Sequence, residues 1–263
     1  MELCNLTWPE ADAWAKKNPV VIVPTGSMEQ HGPHLPFKVD IASADYIAKK
    51  VAEKTGMLVA PPLNFGYSET WRSYPGTISF RQETYRAAIY DICSSLIRGG
   101  FKKIFLLNGH NGNLPLLQSV ISELVERFEK DGIQLGGGTY IFMAKEECDR
   151  IGENFRDGTH ANEMETSITL ALSPECVKMD EARKISADYR LRKIINFDQG
   201  AMFVNRWPDR KAYIGVFGNP ALGTAEKGQA YLKALIEKIS RMILDFDKGR
   251  YNPSLSDGTP QDF

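Results

Sequence analysis

The amino-acid sequence has little histidine, little cysteine and no excess of either charge. It contains 263 residues with 4 cysteines, none of them in a C-x-x-C pair, which argues against a zinc ribbon and against a disulfide scaffold. Scattered cysteines of this kind fit a reducing compartment. The 32 basic residues nearly equal the 33 acidic ones, whereas a protein that binds nucleic acid normally shows a basic excess. We therefore expect no nucleic-acid partner.

Long hydrophobic runs are missing as well. The longest apolar stretches, such as residues 20–23 and 104–107, have the size of a strand and are far shorter than the roughly 20 residues of a membrane span. The first residues show neither the basic nor the apolar region of a secretory signal. These absences predict a cytoplasmic protein that has no membrane partner.

Short apolar runs alternate with amphipathic stretches along most of the chain. The predicted strands are residues 20–24, 58–60, 103–107 and 139–143, and the predicted helices are about 41–54, 83–98, 114–130, 161–172 and 224–246. This alternation favours an α/β fold with a mostly parallel central sheet and helices on both faces. Because no repeat or linker divides the chain, we expect one domain over residues 1–263, with a loosely held tail at 252–263.

All four histidines lie in three segments, each of which follows a predicted strand. The first segment contains His31 and His34, the second contains His110 and the third contains His160. In open α/β sheets, ligands bind beyond the carboxyl ends of the strands. A single composite site is therefore the simplest explanation of where the histidines lie.

The first segment, residues 26–36 followed by Asp40, has side chains suited to metal binding. In extended chain, residues two apart point the same way, so Glu29 and His31 can face one site. Carboxylate oxygen and imidazole nitrogen together suit zinc or manganese. Asp40 can return to the same place once the intervening glycine and proline have bent the chain. The alternative is a turn whose polar groups satisfy one another.

The other two segments add further polar groups. His110 stands among three asparagines and two glycines at 108–113, a composition that allows close approach to a ligand and is also found in simple turns. Glu165 lies beside the apolar stripe of the helix after His160, an unusual place for a carboxylate unless a positive group meets it. We expect Glu163 to be its solvated neighbour.

These motifs resemble those of the creatininase (creatinine amidohydrolase) family. The resemblance runs from about residue 20 to 228. It rests on residues 29–36 with Asp40, on 108–113, on 160–167, and on shorter similarities at 75–79, 215–220 and 224–228. It implies a three-layer α/β/α sandwich and a two-metal centre of zinc, manganese or iron type. It also implies a homo-oligomer, often a hexamer.

The resemblance implies a set of metal ligands. One ion would be held by Glu29, Asp40 and His110. The other would be held by His31, by the bridging Asp40 and by one further carboxylate. In creatininase that carboxylate stands two residues after the histidine of the second segment, where this chain has Gly112. We expect Glu165 to replace it.

The resemblance also implies roles for other residues. His160 would carry a proton to the leaving group, and His34 would pack or support a ligand. Arg156 stands where creatininase has a tryptophan, and arginine suits a carboxylate, phosphate or polyol better than a flat neutral ring. Asn111 and Trp71 are expected to bind substrate, with a packing role equally open for Trp71.

The implied reaction is hydrolysis by a hydroxide that two metal ions activate, with cleavage of a C–N bond in a small cyclic amide or formamide. Alternatives are peptide trimming and C–C opening of a cyclic ketone such as a keto-inositol of the 3-dehydro-scyllo-inosose type. A non-catalytic metal-binding relic is a further alternative, which the presence of His160 opposes. No G-x-S-x-G elbow or Walker loop is present, and no cysteine lies in the histidine motifs.

Overall fold

The computed structural model describes residues 1–153, 160–185 and 214–250. Arg156 and the predicted tail at 252–263 lie outside the described residues. Within these ranges, one parallel sheet has the strand order β2-β1-β3-β4. Its strands are β1 (Val20–Thr25), β2 (Leu58–Val59), β3 (Lys103–Asn108) and β4 (Gln134–Thr139). The α-helices are α1 (Trp8–Lys16), α2 (Val39–Thr55), α3 (Gln82–Arg98), α4 (Leu114–Arg127), α5 (Tyr140–Met143), α6 (Lys145–Asp149), α7 (Glu163–Leu172), α8 (Met179–Lys184) and α9 (Ala225–Asp247).

Helices cover both faces of the sheet. Side chains alternate along β1, so Val20 and Ile22 pack in one hydrophobic core, while Val21 and Val23 pack in another. Helices α2, α7 and α9 contribute to the first core, and α3 and α4 to the second. The fold is therefore the expected three-layer α/β/α sandwich. No helix in the described part of the chain is long and apolar enough to cross a membrane.

Helix ends follow local signals in the sequence. Gly56 ends α2 in the left-handed conformation, with φ of 74°, which glycine adopts without strain. The Thr224 hydroxyl accepts a hydrogen bond from the Lys227 amide and caps α9. The five predicted helices agree with the observed ones within a few residues for this reason. Helix α1 was not predicted, although the capping box of Thr7 and Glu10 marks its start.

The fourth strand corrects the prediction of residues 139–143. The strand is Gln134–Thr139, and Tyr140–Met143 is a short helix. The glycines at 136–138 belong to the strand because the neighbouring chain leaves no room for larger residues. A Cβ at Gly136 would lie 2.8 Å from the Phe246 ring, and one at Gly137 would lie 2.9 Å from the Leu106 carbonyl oxygen. Glycine here allows close packing and does not mark a turn.

The carboxyl ends of three strands meet at one edge of the sheet. Thr25, Asn108 and Thr139 are in register at the ends of β1, β3 and β4. The chain segments that leave β1 and β3 therefore begin side by side. Gly109 packs so tightly against α2 that a Cβ would overlap the carbonyl oxygen of Asp40. The second histidine segment is thus in contact with a predicted metal ligand.

Candidate metal centre

Six of the predicted site residues form one buried cluster at this edge of the sheet. None of the six is more than 8% exposed. They make three overlapping groups, in each of which the potential ligand atoms lie within 4.8 Å of one another. The groups are Glu29–Asp40–His110, His31–Asp40–Glu165 and Glu29–His31–His160. The first two match the ligand sets that the resemblance implies, and their binding of metal stays a prediction.

Asp40 lies between the first two groups. Its Oδ1 is 3.1 Å from Nε2 of His31, and its Oδ2 is 3.1 Å from Nδ1 of His110. Glu29 Oε1 is 3.2 Å from the same nitrogen of His110, and Glu165 Oε1 is 4.0 Å from Nε2 of His31. Each oxygen of Asp40 therefore faces a different imidazole, as a carboxylate that bridges two ions would.

Hydrogen bonds to the backbone direct both imidazoles towards the carboxylates. His110 Nε2 lies 2.9 Å from the carbonyl oxygen of Tyr67, and His31 Nδ1 lies 3.1 Å from that of Glu29. A nitrogen beside a carbonyl oxygen carries the proton and donates it, so the other ring nitrogen of each histidine is a potential ligand. Metal-binding histidines in proteins are commonly oriented in this way. The hydroxyl of Ser27 donates to Asp40 Oδ2 at 2.8 Å.

Two asparagines of the second segment hold the loops together. The Asn108 amide donates to the Thr139 hydroxyl at 2.8 Å, which links the ends of β3 and β4. The Asn113 amide donates to the Gly26 carbonyl at 3.0 Å and accepts from the Tyr67 N–H at 2.9 Å. These bonds give the asparagines a structural role, since they join the first two segments and the chain around Tyr67.

Glu165 enters the cluster from the first turn of α7, whose start is built around it. The Asn162 side chain caps the helix by accepting from the Glu165 N–H at 3.1 Å. Ala161 has a left-handed backbone, with φ of 54°, which is strained for a residue that has a Cβ. Its N–H donates to Glu165 Oε2. The left-handed backbone of Ala161 therefore holds one oxygen of the Glu165 carboxylate, and the other oxygen, Oε1, faces His31.

Gly112 cannot supply the carboxylate of creatininase in this arrangement. A Cβ at this position would lie 2.7 Å from the carbonyl oxygen of Tyr67 and would overlap Nε2 of His110. The hydrogen bond that orients His110 thus occupies the space that a side chain would need. Glu165 approaches the cluster from another element and avoids this conflict.

Among the described residues, histidines are the only basic side chains that meet the three buried carboxylates. In the described part of the chain, no lysine or arginine pairs with Glu29, Asp40 or Glu165, and Oε2 of Glu29 has no hydrogen-bond partner there. Uncompensated buried charge is costly. Oxygen and imidazole donors are also the ligands that zinc and manganese take. Divalent cations therefore fit this cluster by charge and by donor type.

The pKa values of the ligands reflect burial and the three neighbouring carboxylates. Burial opposes the charged form of His31, but the three carboxylates, Asp40 foremost, together outweigh it and raise the pKa of His31 to about 10. Burial likewise opposes the charged form of His110, yet Glu29 and Asp40 raise its pKa well above the ordinary value. Burial, together with the charge of Asp40, raises the pKa of Glu165 to about 7. Without metal, protons on His31, His110 and Glu165 offset the negative charge of the cluster, so metal binding must displace these protons.

His160 lies at the edge of the cluster. Its Nδ1 is 3.5 Å from Glu29 Oε1, and its Nε2 is 2.9 Å from both the carbonyl oxygen and the side-chain nitrogen of Gln30. Burial and the charge of His31 lower the pKa of His160 well below the ordinary value. Two short helices separate it from β4, so it does not follow that strand directly as predicted. Its carbonyl oxygen accepts from the Phe217 N–H at 2.8 Å.

The remaining predicted site residues have different positions. Trp71 is buried and stacks on the His160 ring. Oδ1 of Asn111 has no hydrogen-bond partner among the described residues. Nε2 of His34 lies 3.0 Å from the Thr166 hydroxyl, and His34 belongs to none of the three groups, which agrees with a packing or supporting role. Arg156 lies outside the described residues.

Glu163 corrects another expectation, because it is buried and not solvated. Its Oε1 lies 2.7 Å from Nζ of Lys227, which also lies 2.6 Å from Oε1 of Glu153. Lys227 thus ties the start of α7 to the start of α9. Gly228 allows the same approach, since a Cβ there would overlap the Ser167 carbonyl. The segment at 224–228 therefore works as a packing motif. Its packing role had no local signal in the sequence beyond its similarity to the family, although Thr224 marked the start of the helix.

Comparison with known proteins gives a consistent result. A family model described as "Creatininase: Creatinine amidohydrolase" matches residues 4–243. The creatinine amidohydrolase of Pseudomonas putida is 29% identical over 254 residues, covering 91% of this chain and 94% of that protein. A mycofactocin precursor peptide peptidase of Mycobacterium ulcerans is 28% identical over 240 residues, covering 88% and 87%. A 3-dehydro-scyllo-inosose hydrolase of Thermotoga maritima is 28% identical over 265 residues, covering 91% and 82%.

Solved structures show the same fold. A manganese form of creatininase and a zinc–zinc form of a mutant creatininase each align with a TM-score of 0.76 at 26% identity, covering 93% of this chain and 97% of theirs. The family model and the hydrolases among the relatives identify a metal-dependent hydrolase, and the buried carboxylate–imidazole cluster agrees with this class. The chain belongs to the creatininase (creatinine amidohydrolase) family, which confirms the resemblance.

Proposed function

We propose that this hydrolase binds two divalent ions, zinc or manganese, and opens a C–N bond in a small cyclic amide or formamide. The observation that carries the proposal is the position of Asp40, which faces His31 with one oxygen and His110 with the other, each at 3.1 Å. The solved manganese and zinc–zinc forms of creatininase support the choice of ions. Glu29 completes one ligand set and Glu165 the other.

The residues of this chain divide the chemical work. Bound metal supplies a water-derived nucleophile at neutral pH and a Lewis acid for the substrate oxygen. Glu29, Asp40 and Glu165 set the charge of the centre, and the backbone bonds of His31 and His110 fix the ligand nitrogens. Burial of all five side chains excludes bulk water from the ligands.

His160 moves the proton in this proposal. Gln30 holds its Nε2, so Nδ1 is the nitrogen that faces the cluster, 3.5 Å from Glu29 Oε1. Nδ1 would accept a proton from the attacking water and deliver it to the leaving nitrogen. General acid–base help of this kind is worth about 10²–10⁴-fold in rate.

A second candidate reaction is hydrolytic C–C opening of a cyclic ketone such as a keto-inositol. The observation that favours it is the relative named 3-dehydro-scyllo-inosose hydrolase, which is 28% identical to this chain, almost as similar as the creatinine amidohydrolase at 29%. The ligand set would be unchanged. His160 would then protonate a leaving carbon and not a nitrogen.

A substrate screen separates the two reactions. Protein loaded with zinc or with manganese is offered lactams, formamides and keto-inositols, and product formation is followed by mass spectrometry. His160→Ala should keep its metal and lose turnover. Loss of metal from this variant would instead make His160 a ligand, as the group Glu29–His31–His160 allows. Absence of turnover on all three substrate classes would contradict both candidate reactions.

We also propose a cytoplasmic homo-oligomer, hexameric by analogy with the family. The four cysteines are free thiols, which supports a reducing compartment. Trp8 is 83% exposed, and a side chain of this size is commonly covered in an interface. Light scattering should give a multiple of the chain mass of 29.5 kDa. A mass of one chain would contradict the oligomer.

A further inference from the structure

Trp71 makes a contact that the proposed mechanism does not use. Its indole stacks on the imidazole of His160, with ring centroids 4.3 Å apart and planes within 14° of parallel. We infer that Trp71 is a positioning residue that fixes the ring plane of His160, and that it does not bind the substrate. The inference rests on the proposed role of His160 and adds a residue to it.

The indole is itself held firmly. Trp71 is only 3% exposed and ends a short 3-10 helix, Glu69–Trp71. Its backbone N–H donates to the Ser68 carbonyl oxygen at 2.9 Å, which fixes the main chain that carries the indole. The ring of Tyr74 meets it edge-on at 5.8 Å, and the ring of Phe217 lies at 5.9 Å. Aromatic neighbours thus enclose the indole and leave little of its surface for a substrate.

The imidazole of His160 has few orientations open to it. The His31 ring centroid lies 4.4 Å from that of His160, so two rings, those of His31 and Trp71, lie against the imidazole. Gln30 holds Nε2, and the backbone N–H of Phe217 binds the His160 carbonyl oxygen. Rotation of the imidazole about its bond to Cβ would break the stack with Trp71. The stack therefore keeps Nδ1 directed at the cluster.

The two roles of Trp71 predict different kinetics. A positioning residue acts on the reacting geometry, where a small misplacement can cost about 10²-fold in rate. Removing it should lower kcat and leave KM nearly unchanged. A residue that binds substrate equally in the ground and transition states would raise KM and leave kcat intact.

The kinetic test compares Trp71→Leu with Trp71→Phe. We expect Trp71→Leu to lower kcat by about 10- to 100-fold at constant KM and at full metal content. Trp71→Phe should recover most of the rate because it restores a stacking ring. Trp14→Phe, a change in a tryptophan that packs against the second hydrophobic core, away from Trp71, should match the wild type. A raised KM with unchanged kcat in Trp71→Leu would overturn the inference.

A second measurement does not depend on activity. With zinc-loaded protein labelled at the histidine rings, NMR should show four histidine signals, and the signal lost in His160→Asn identifies His160. The indole shifts the ring protons of His160 upfield, so Trp71→Leu should move this signal downfield. A signal that does not move would disprove the stack. If the wild type hydrolyses no substrate, the proposed function fails while this result still decides the contact.

Discussion

The ion pair of Lys227 and Glu163 should contribute strongly to stability. Only 2% of the Glu163 side chain is exposed, and its Oε1 lies 2.7 Å from Nζ of Lys227. Removing one partner of a buried ion pair typically costs about 3–5 kcal/mol, because the other charge stays in a poor environment. Lys227 keeps 22% of its side chain exposed, and the Glu153 N–H still donates to Glu163 at 3.0 Å. We therefore expect Lys227→Met to lower the free energy of unfolding by about 3 kcal/mol, near the lower end of that range.

Urea unfolding of the zinc-loaded protein, followed by circular dichroism, measures this loss. Lys238→Met is the matched control, since it removes a lysine of the same helix from a more exposed pair with Glu147 at 3.2 Å. The control should cost at most about 1 kcal/mol. The double variant Glu163→Gln with Lys227→Met should recover part of the loss, because no charge stays buried. Equal losses in Lys227→Met and Lys238→Met would refute the reasoning.

Three further predictions concern the glycines and the metal. Gly109→Ala sets a Cβ against the Asp40 carbonyl, so the metal affinity measured by calorimetry should fall by about tenfold or more. The control is Gly99→Ala, whose Cβ would meet no atom closer than 3.3 Å. This variant should bind metal as the wild type does. Equal affinity in the two variants would argue against this link. Removing metal with a chelator should lower Tm, because free metal at 100 times the Kd of a site stabilises the folded protein by about 2.7 kcal/mol for each site. A Tm that chelator does not change would contradict metal binding in the cluster. Gly136→Ala should lower the free energy of unfolding in urea by about 1–3 kcal/mol, since its Cβ would lie 2.8 Å from the Phe246 ring. An unchanged free energy of unfolding would show that β4 can move away from the ring.

Elements with local signals were predictable from the sequence. The strands at 20–24 and 103–107 are short apolar runs, and glycine or a capping residue marks the helix ends near Gly56 and Thr224. Strand β4 was not predictable in the same way. Its glycines are required by Phe246 and Leu106, which are distant in sequence, so the local pattern placed the strand after the glycines, at 139–143.

The candidate site was predictable in its residue types and less so in its surroundings. Histidines are few and all lie in loops, so their clustering was visible in the sequence. The structure brings three of the four, His31, His110 and His160, into one cluster with the carboxylates. The burial of Glu163 depends on Lys227 from another helix, and the stack of Trp71 on His160 joins two distant loops. Contacts of this kind arise from tertiary packing and leave no periodic pattern.

The number of metal ions per chain decides whether Asp40 bridges two ions and Glu165 replaces the carboxylate missing at Gly112. Metal would be measured by mass spectrometry after dialysis, in the wild type, in Glu165→Gln and in the control Glu147→Gln, which changes a carboxylate of α6. We expect two ions per chain in the wild type and the control, and one in Glu165→Gln. One ion in the wild type, or two in Glu165→Gln, would contradict the proposed centre.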